Sequence, residues 1–324
     1  MMQSRGHTHT PIDSASARTR SGHELHVVAP YRLDLTVSAL RRLSTNVVDV
    51  LTPDGHYMRV LAGASGPVVV DVVQLRADAL RVTIDGNASD HGWALALVQR
   101  MLGVDCDLAH FDLAAARLQW LRQLARRMHG VKPPRYPTLW EAFVNTIAFQ
   151  QVSLQAASAI ARRLVVASGR PLEREGMSLY AFPGVEQVLG AKATKLRAIG
   201  LSAGKLATLR RAGEALASGA LDEAMLEEQS SAAASAILQR IKGIGPWTAA
   251  VILLRGLGRL DVFPMRDTSV ARNLALVGGR ASLDVAAIVE ALRPQQGMLY
   301  YHLLLARLEA RGEVGVPSVS TGTH

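Results

Sequence analysis

At Cys106 the hydrophobic pattern of the chain changes period, and this constrains the fold more than any other feature. Before it, the apolar runs 47–51, 56–61, 68–73 and 80–84 are short and rich in β-branched residues, and turn formers such as Thr52-Pro53-Asp54-Gly55 separate them. Such runs read as strands, with Asp54-Gly55 suited to a tight hairpin. Residues 31–35 read as a first strand, 37–43 as a short helix, and 89–102 as a helix with Ser89 or Asp90 near its cap. After Cys106, apolar residues recur every three or four positions, from 113–128 through to 298–310, the spacing of helices with one buried face. The expected fold is mostly α: a small N-terminal α+β domain over 26–106, then an all-α domain over 107–312. Three prolines within 130–137 mark a hinge or a subdomain crossing between the first two helices of the second domain.

Hydrophobic residues make up 49% of the 324 and charged residues 19%, which excludes a mostly disordered chain. Only the ends lack apolar periodicity: 1–25 reads as a disordered arm and 313–324 as a disordered tail. No run of 18 apolar residues is present, so no membrane span is expected. The single cysteine, Cys106, excludes an internal disulfide framework, a cysteine zinc site and a four-thiolate iron–sulfur cage. A reducing cytoplasm is the expected compartment. The net charge of +9 makes a polyanion, first of all nucleic acid, the expected partner.

The most informative stretch is Leu238-Gln239-Arg240-Ile241-Lys242-Gly243-Ile244-Gly245-Pro246-Trp247-Thr248-Ala249. An apolar helix runs into Gly-x-Gly, and Pro246 stands where a second helix begins, its fixed φ and missing N–H costing nothing in a first turn. The main-chain N–H groups at such a helix start form a phosphate site. They read no base sequence. Gly243, Ile244, Gly245 and Thr248 are the candidate DNA contacts, with Lys242 facing phosphate or solvent. Gly245 is taken to carry the hairpin geometry, so a β-branched residue there should cost DNA affinity.

This string, with 255–267 downstream, resembles the helix–hairpin–helix of the DNA glycosylase superfamily. Within it the chain is most similar to DNA-3-methyladenine glycosylase II, the AlkA-like alkylbase glycosylases. Residues 143–153 resemble the helix that ends before that branch's DNA wedge, and Ala181-Phe182-Pro183, 199–202 and Lys205 follow in its order. The likeness covers roughly residues 27–311. It implies a catalytic aspartate twenty residues after Trp247, which is Asp267, a wedge at Gln151, and a Na+ or K+ held by the carbonyls of Gln239, Ile241 and Gly243.

The chemistry supports these assignments. Breaking an N-glycosidic bond builds positive charge on the sugar, and a carboxylate beside C1′ stabilises it and orients or deprotonates a water. Asp267 precedes an apolar helix, so it is also an N-cap; Asp261, its only rival nearby, reads as structural. An indole at 247 cannot form the Schiff base that glycosylases with lyase activity make from a lysine, so a single activity is expected, with no cofactor for catalysis. A base inside a duplex must be rotated out, and Gln151 either fills the gap or serves as a surface helix cap. Gln150 and Trp247 are candidate pocket walls, Trp247 stacking on a cationic base or packing the hairpin. Val251 and Leu304 fall where this branch often has aromatics, which implies a more open pocket. Tyr300, Tyr301 and His302 read as core.

Two basic groups stand out: Arg117, Arg122, Arg126, Arg127, Lys132 and Arg135, and a second containing Lys192, Lys195, Arg197, Lys205, Arg210 and Arg211. The resemblance puts the second nearer DNA. The expected protein is a monomeric, nucleoid-associated glycosylase for alkylated bases in damaged double-stranded DNA. The alternatives are a related enzyme for uracil, hypoxanthine or oxidised purines, and a non-catalytic DNA-binding scaffold.

Overall fold

Alternating β-branched residues build the N-terminal sheet. The computed structural model describes residues 18–265, 268–278 and 283–314. β1 (Arg18–His26), β2 (Val50–Leu51), β3 (Tyr57–Gly63), β4 (Gly66–Arg76) and β5 (Ala79–Asn87) form one antiparallel sheet in the order β1-β5-β4-β3-β2. Val70 opposes Ile84 and Val72 opposes Val82, so these side chains share one face. That face packs on Ala94, Val98 and Met101 of α2 (His91–Leu102). On the other face Met58, Val60 and Val69 meet Leu179. Leu179 belongs to a hairpin, β6 (Leu172–Arg174) and β7 (Met177–Leu179), inside the otherwise helical part. The expectation of an all-α second domain is corrected to that extent: a two-stranded ribbon leaves the helices to cover the back of the sheet.

Three further expectations are corrected. The arm expected over 1–25 ends earlier, because residues from Arg18 onward form β1 and pair with β5 along its length. An edge strand with one solvated face needs few apolar residues, and polar ties replace them: Arg18 binds the Asp85 carboxylate and Ser21 binds His91. Residues 1–17 lie outside the described residues. Residues 31–35 are not a strand but lead into α1 (Leu33–Arg41). Leu33, Val37 and Leu40 face the sheet core while Leu35 and Ala39 face a second core, so burial on both sides masks the helical period. The single helix expected over 113–128 is two, α3 (Ala109–Arg117) and α4 (Gln119–Arg127), broken at Leu118, whose backbone is extended.

The remaining helices are α5 (Leu139–Ala148), α6 (Leu154–Ser168), α7 (Val185–Leu189), α8 (Ala193–Ala198) and α9 (Ala203–Ala217). After these come α10 (Glu223–Glu227), α11 (Ser231–Gln239), α12 (Pro246–Gly256), α13 (Thr268–Gly278), α14 (Val285–Ala291) and α15 (Gly297–Glu309). α5 and α12 are buried over almost their whole surface, which their nearly all-apolar sequences permit. They cross where Gly256 meets Ala142, at a distance that leaves no room for a side chain on residue 256.

The proline segment is tied to the elements on either side of it. The Lys132 N–H donates to Thr36 Oγ1, Lys132 Nζ to the Cys106 carbonyl, and the Tyr136 N–H to the Arg255 carbonyl. The tail expected from 313 also begins tied down, since the Glu313 carboxylate accepts the Ser44 N–H at 2.7 Å; residues 315–324 lie outside the described residues. Among the described residues no helix is long and apolar enough to cross a membrane.

Candidate active site

The hairpin forms because two glycines do different jobs. α11 starts on the Ser230 hydroxyl, which accepts the Ala233 N–H, and the chain turns at Gly243, φ +102°. A Cβ there would fall on Thr208 Oγ1, so position 243 demands glycine by conformation and by space. Gly245 differs from the expectation: its φ is −92° and a Cβ would meet nothing within 4 Å. Geometry at this turn is therefore set by Gly243, while Gly245 keeps the backbone bare beside open space. Pro246 opens α12 as its first residue.

Not every expected phosphate donor is available. The Ile244 side chain is buried and its N–H closes the turn onto the Ile241 carbonyl at 2.9 Å. The Thr248 side chain is also buried. The Gly245 N–H has no acceptor among the described residues, and the first-turn amides of α12 point forward as in any helix. Lys242 is exposed, and its carbonyl receives the Arg211 guanidinium.

Gln150 ties this hairpin to the end of α5. Its Nε2 donates to the Gly243 carbonyl at 3.1 Å and to Thr248 Oγ1 at 2.9 Å. Gln151 follows with φ +55°, exposed, in the turn between α5 and α6. It is not a helix cap, because Phe149 caps α5 and Ser153 caps α6. Left-handed backbone on a non-glycine residue is uncommon and persists where the surroundings enforce it. Val152 beside it is 40% exposed, an apolar surface that sequence reasoning passed over.

A cleft of about 950 Å³ lies between the hairpin, the α5–α6 turn, α13 and α15. Gln150, Gln151, Trp247, Val251 and Leu304 all line it, so the structure brings together the residues expected at the wedge and pocket. Trp247 is half-buried and its Nε1 has no hydrogen-bond partner among the described residues; Val251 and Leu304 are buried walls. Asp267 lies outside the described residues. It sits in sequence between Met265 and α13, whose Val270, Arg272 and Asn273 line the cleft. Asp261 accepts the Ser231 hydroxyl and its carbonyl accepts Gln296, a structural role. Tyr301 is buried and bonds the Pro134 carbonyl, and burial holds His302 down to about 4; Tyr300, expected in the core with them, is instead half-buried and lines the cleft.

The two basic groups separate. In the first, Lys132 and Arg135 turn inward onto the carbonyls of Cys106 and Leu257, Arg122 onto that of Ala116, and Arg127 pairs with Glu309. In the second, Lys205 lines the cleft, donates to the Ala148 carbonyl at 2.9 Å and is held below the usual lysine range by burial. Sequence reasoning missed Arg42, Thr146, Phe149, Arg272 and Arg307, which also line the cleft. The described lining carries Arg42, Lys205, Arg272 and Arg307 and no carboxylate.

A glycine-turned hairpin facing a deep cleft, in a mostly helical protein with a small N-terminal sheet, is the frame of the site. Residues 144–293 match the HhH-GPD superfamily base excision DNA repair protein, and this segment, from α5 through the hairpin to α14, belongs to that superfamily. It is 31% identical over 72% of its length to the probable bifunctional transcriptional activator/DNA repair enzyme AlkA of Mycobacterium tuberculosis, of which it covers 47%. It is 23% identical to DNA-3-methyladenine glycosylase 2 of Escherichia coli over 85% of this chain and 93% of that protein. The chain thus spans about half the length of the first of these relatives. Its fold matches that of the 3-methyladenine DNA-glycosylase from Archaeoglobus fulgidus with a TM-score of 0.73 at 23% identity, over 89% of this chain and 99% of that one.

Proposed function

We propose that the protein is a monofunctional DNA glycosylase that removes alkylated bases of the 3-methyladenine type from double-stranded DNA by hydrolysis. The observation that carries this reading is a cleft of about 950 Å³ between the hairpin and the Gln151 turn, more than large enough for one everted base. Gly245 and the first turn of α12 hold the DNA backbone without reading sequence, and Gln151 enters the stack as the nucleotide leaves it. The base lies against Trp247, with Val251 and Leu304 behind it. Gln150, fixed by the Gly243 carbonyl and Thr248, keeps the pocket wall and the hairpin in register.

Asp267 is the carboxylate we assign to the chemistry. The C1′–N bond breaks with its electron pair leaving on the base, and the carboxylate stabilises the sugar cation. Water adds to C1′ and gives up a proton to the carboxylate or solvent, so free base and an abasic site result. Trp247 offers no amine, which supports a single activity. No resident cofactor enters these steps. The carbonyls of Gln239, Ile241 and Gly243 suit a monovalent cation: the latter two accept Ile244 N–H and Gln150, and each keeps a second lone pair. Such an ion would brace the turn. The reading places a monomer on chromosomal DNA in the cytoplasm.

The test is an alkali nick assay on duplexes carrying one modified base, comparing wild type with Asp267→Asn. Excision is expected to fall by about a thousandfold or more, in line with loss of a transition-state electrostatic partner, while duplex binding is retained. Undiminished base release by Asp267→Asn removes the catalytic assignment. Absence of release by wild type, with duplex binding intact, leaves a DNA-binding scaffold.

A further inference from the structure

We infer that the outer edge of β1 is a self-association surface: two copies of this chain pair β1 against β1, antiparallel about a two-fold axis at Gly22, and join their sheets into one. This goes beyond the glycosylase reading and does not depend on it.

An edge strand presents a row of unpaired main-chain N–H and C=O groups, and proteins that avoid edge pairing keep such strands short or break them with a bulge or a proline. The sheet does this at one end only. β2 is two residues long. At the other end β1 runs for nine residues, in unbroken register with β5 from Arg18 opposite Asn87 to His26 opposite Ala79. It contains no proline, and among the described residues no strand lies on its outer side. Gly22 stands at its middle in open space, with nothing within 4 Å of where a Cβ would be. A second backbone can therefore approach closely at the axis.

Charge selects a second copy as the occupant. About a two-fold axis at Gly22, residues equally far before and after it stand opposite each other, so Arg20 meets Glu24 of the second copy, and Glu24 meets its Arg20. The rows continue inward, because Arg20 stands opposite Asp85 of β5 and Glu24 opposite Arg81. Across the four strands the charges run Asp85, Arg20, Glu24, Arg81, negative and positive in turn, and the axis repeats the row. Opposite charges that face each other in an antiparallel pair stabilise it, and like charges do the reverse. The Asp85 carboxylate is already held by Arg18 at 3.1 Å and Arg174 at 2.6 Å, while Arg20 is exposed. Glu24 reaches Arg76 at 2.8 Å through one oxygen, in a pair about half exposed on both sides; the other oxygen can accept an incoming guanidinium. The next register in either direction shortens the ladder and sets Gly22 against Arg20 or Glu24. A net charge of +9 on each copy opposes association, so the pair forms at high protein concentration and one protomer remains the acting unit on DNA. No residue of β1 lines the cleft, so pairing consumes none of it.

The experiment is sedimentation velocity of the full chain over a wide range of concentration. Wild type should show a reversible equilibrium between monomer and dimer. Arg20→Glu sets acid against acid at both contacts, and Glu24→Arg sets base against base; each should weaken the dimer by about tenfold or more. An equimolar mixture of the two variants should regain it, because each then faces opposite charges on the other. Should one variant fail to fold, the other carries the test against wild type. A monomer at every concentration overturns the inference and leaves the edge covered or solvated. A dimer that neither substitution weakens also overturns it, since another surface then joins the copies. Weakening by each substitution without recovery in the mixture removes the register, and the inference with it.

Discussion

Arg42 and Arg59 are both buried arginines from the first sixty residues, and their surroundings are opposite. Arg59 lies in β3 at 1% exposure and reaches two carboxylates, Asp49 at 2.6 Å and Glu141 of α5. Asp49 also accepts the Tyr57 hydroxyl at 2.8 Å. That group ties the sheet to the central helix and pairs the cation with two carboxylates without any ligand, leaving only the Arg59 Nε–H without an acceptor among the described residues. Arg42 has an aromatic ring for a neighbour and a cleft in front of it. A buried charge whose partners are all internal belongs to the architecture. One whose only neutral support is a ring belongs to whatever binds.

The comparison breaks first on stability. Arg59→Met leaves Asp49 and Glu141 buried without their cation, and removal of one member of such a group costs about 3–5 kcal/mol. Denaturant unfolding should show that loss for Arg59→Met and a much smaller one for Arg42→Met. Similar losses for the two variants would mean that Arg42 is neutralised in the folded protein and is no free recognition group.

A second test uses pH. Burial, with Asp49 competing for the same guanidinium, raises the Glu141 carboxyl to about 7 despite the attraction of Arg59. The unfolded chain releases this proton near 4.5, so the folded state binds it more tightly. The stability this contributes is whole below the unfolded value and is lost as pH rises through the folded one. Against Glu141→Gln, which cannot titrate, wild type should therefore lose relative stability between about pH 4.5 and 7 and hold a constant difference outside that window. A difference that stays flat across the window would show Glu141 ionised throughout, with Arg59 winning over desolvation.

The contrast also explains what could be read from the sequence. The hairpin was legible because its geometry is local: Gly243, Pro246 and the two flanking helices lie within residues 231–256, and each imposes its own conformation. Trp247, Val251, Gln150 and Leu304 were legible as a group only through resemblance, and the cleft brings them together. β1 was not, since an edge strand that buries Leu25 and little else carries no apolar alternation. α1 was not, since two cores take opposite faces of one helix. Arg42 was invisible for a different reason. Its meaning depends on Phe149, more than a hundred residues away, and on a positive φ that an Arg-Arg pair does not announce.

That φ yields the finest test. At a buried site with ordinary backbone, glycine is worse than methionine, because it forfeits packing and adds freedom to the unfolded chain. At Arg42 the backbone strain of a side chain at φ 64° works against that rule, by about 1 kcal/mol. Arg42→Gly should then unfold at the same or a higher denaturant concentration than Arg42→Met. The reverse order, methionine the more stable, would show that α1 ends without strain. Arg42 would then stand over Phe149 because the chain rests there, and not because the packing at the end of α1 holds it against its own preference.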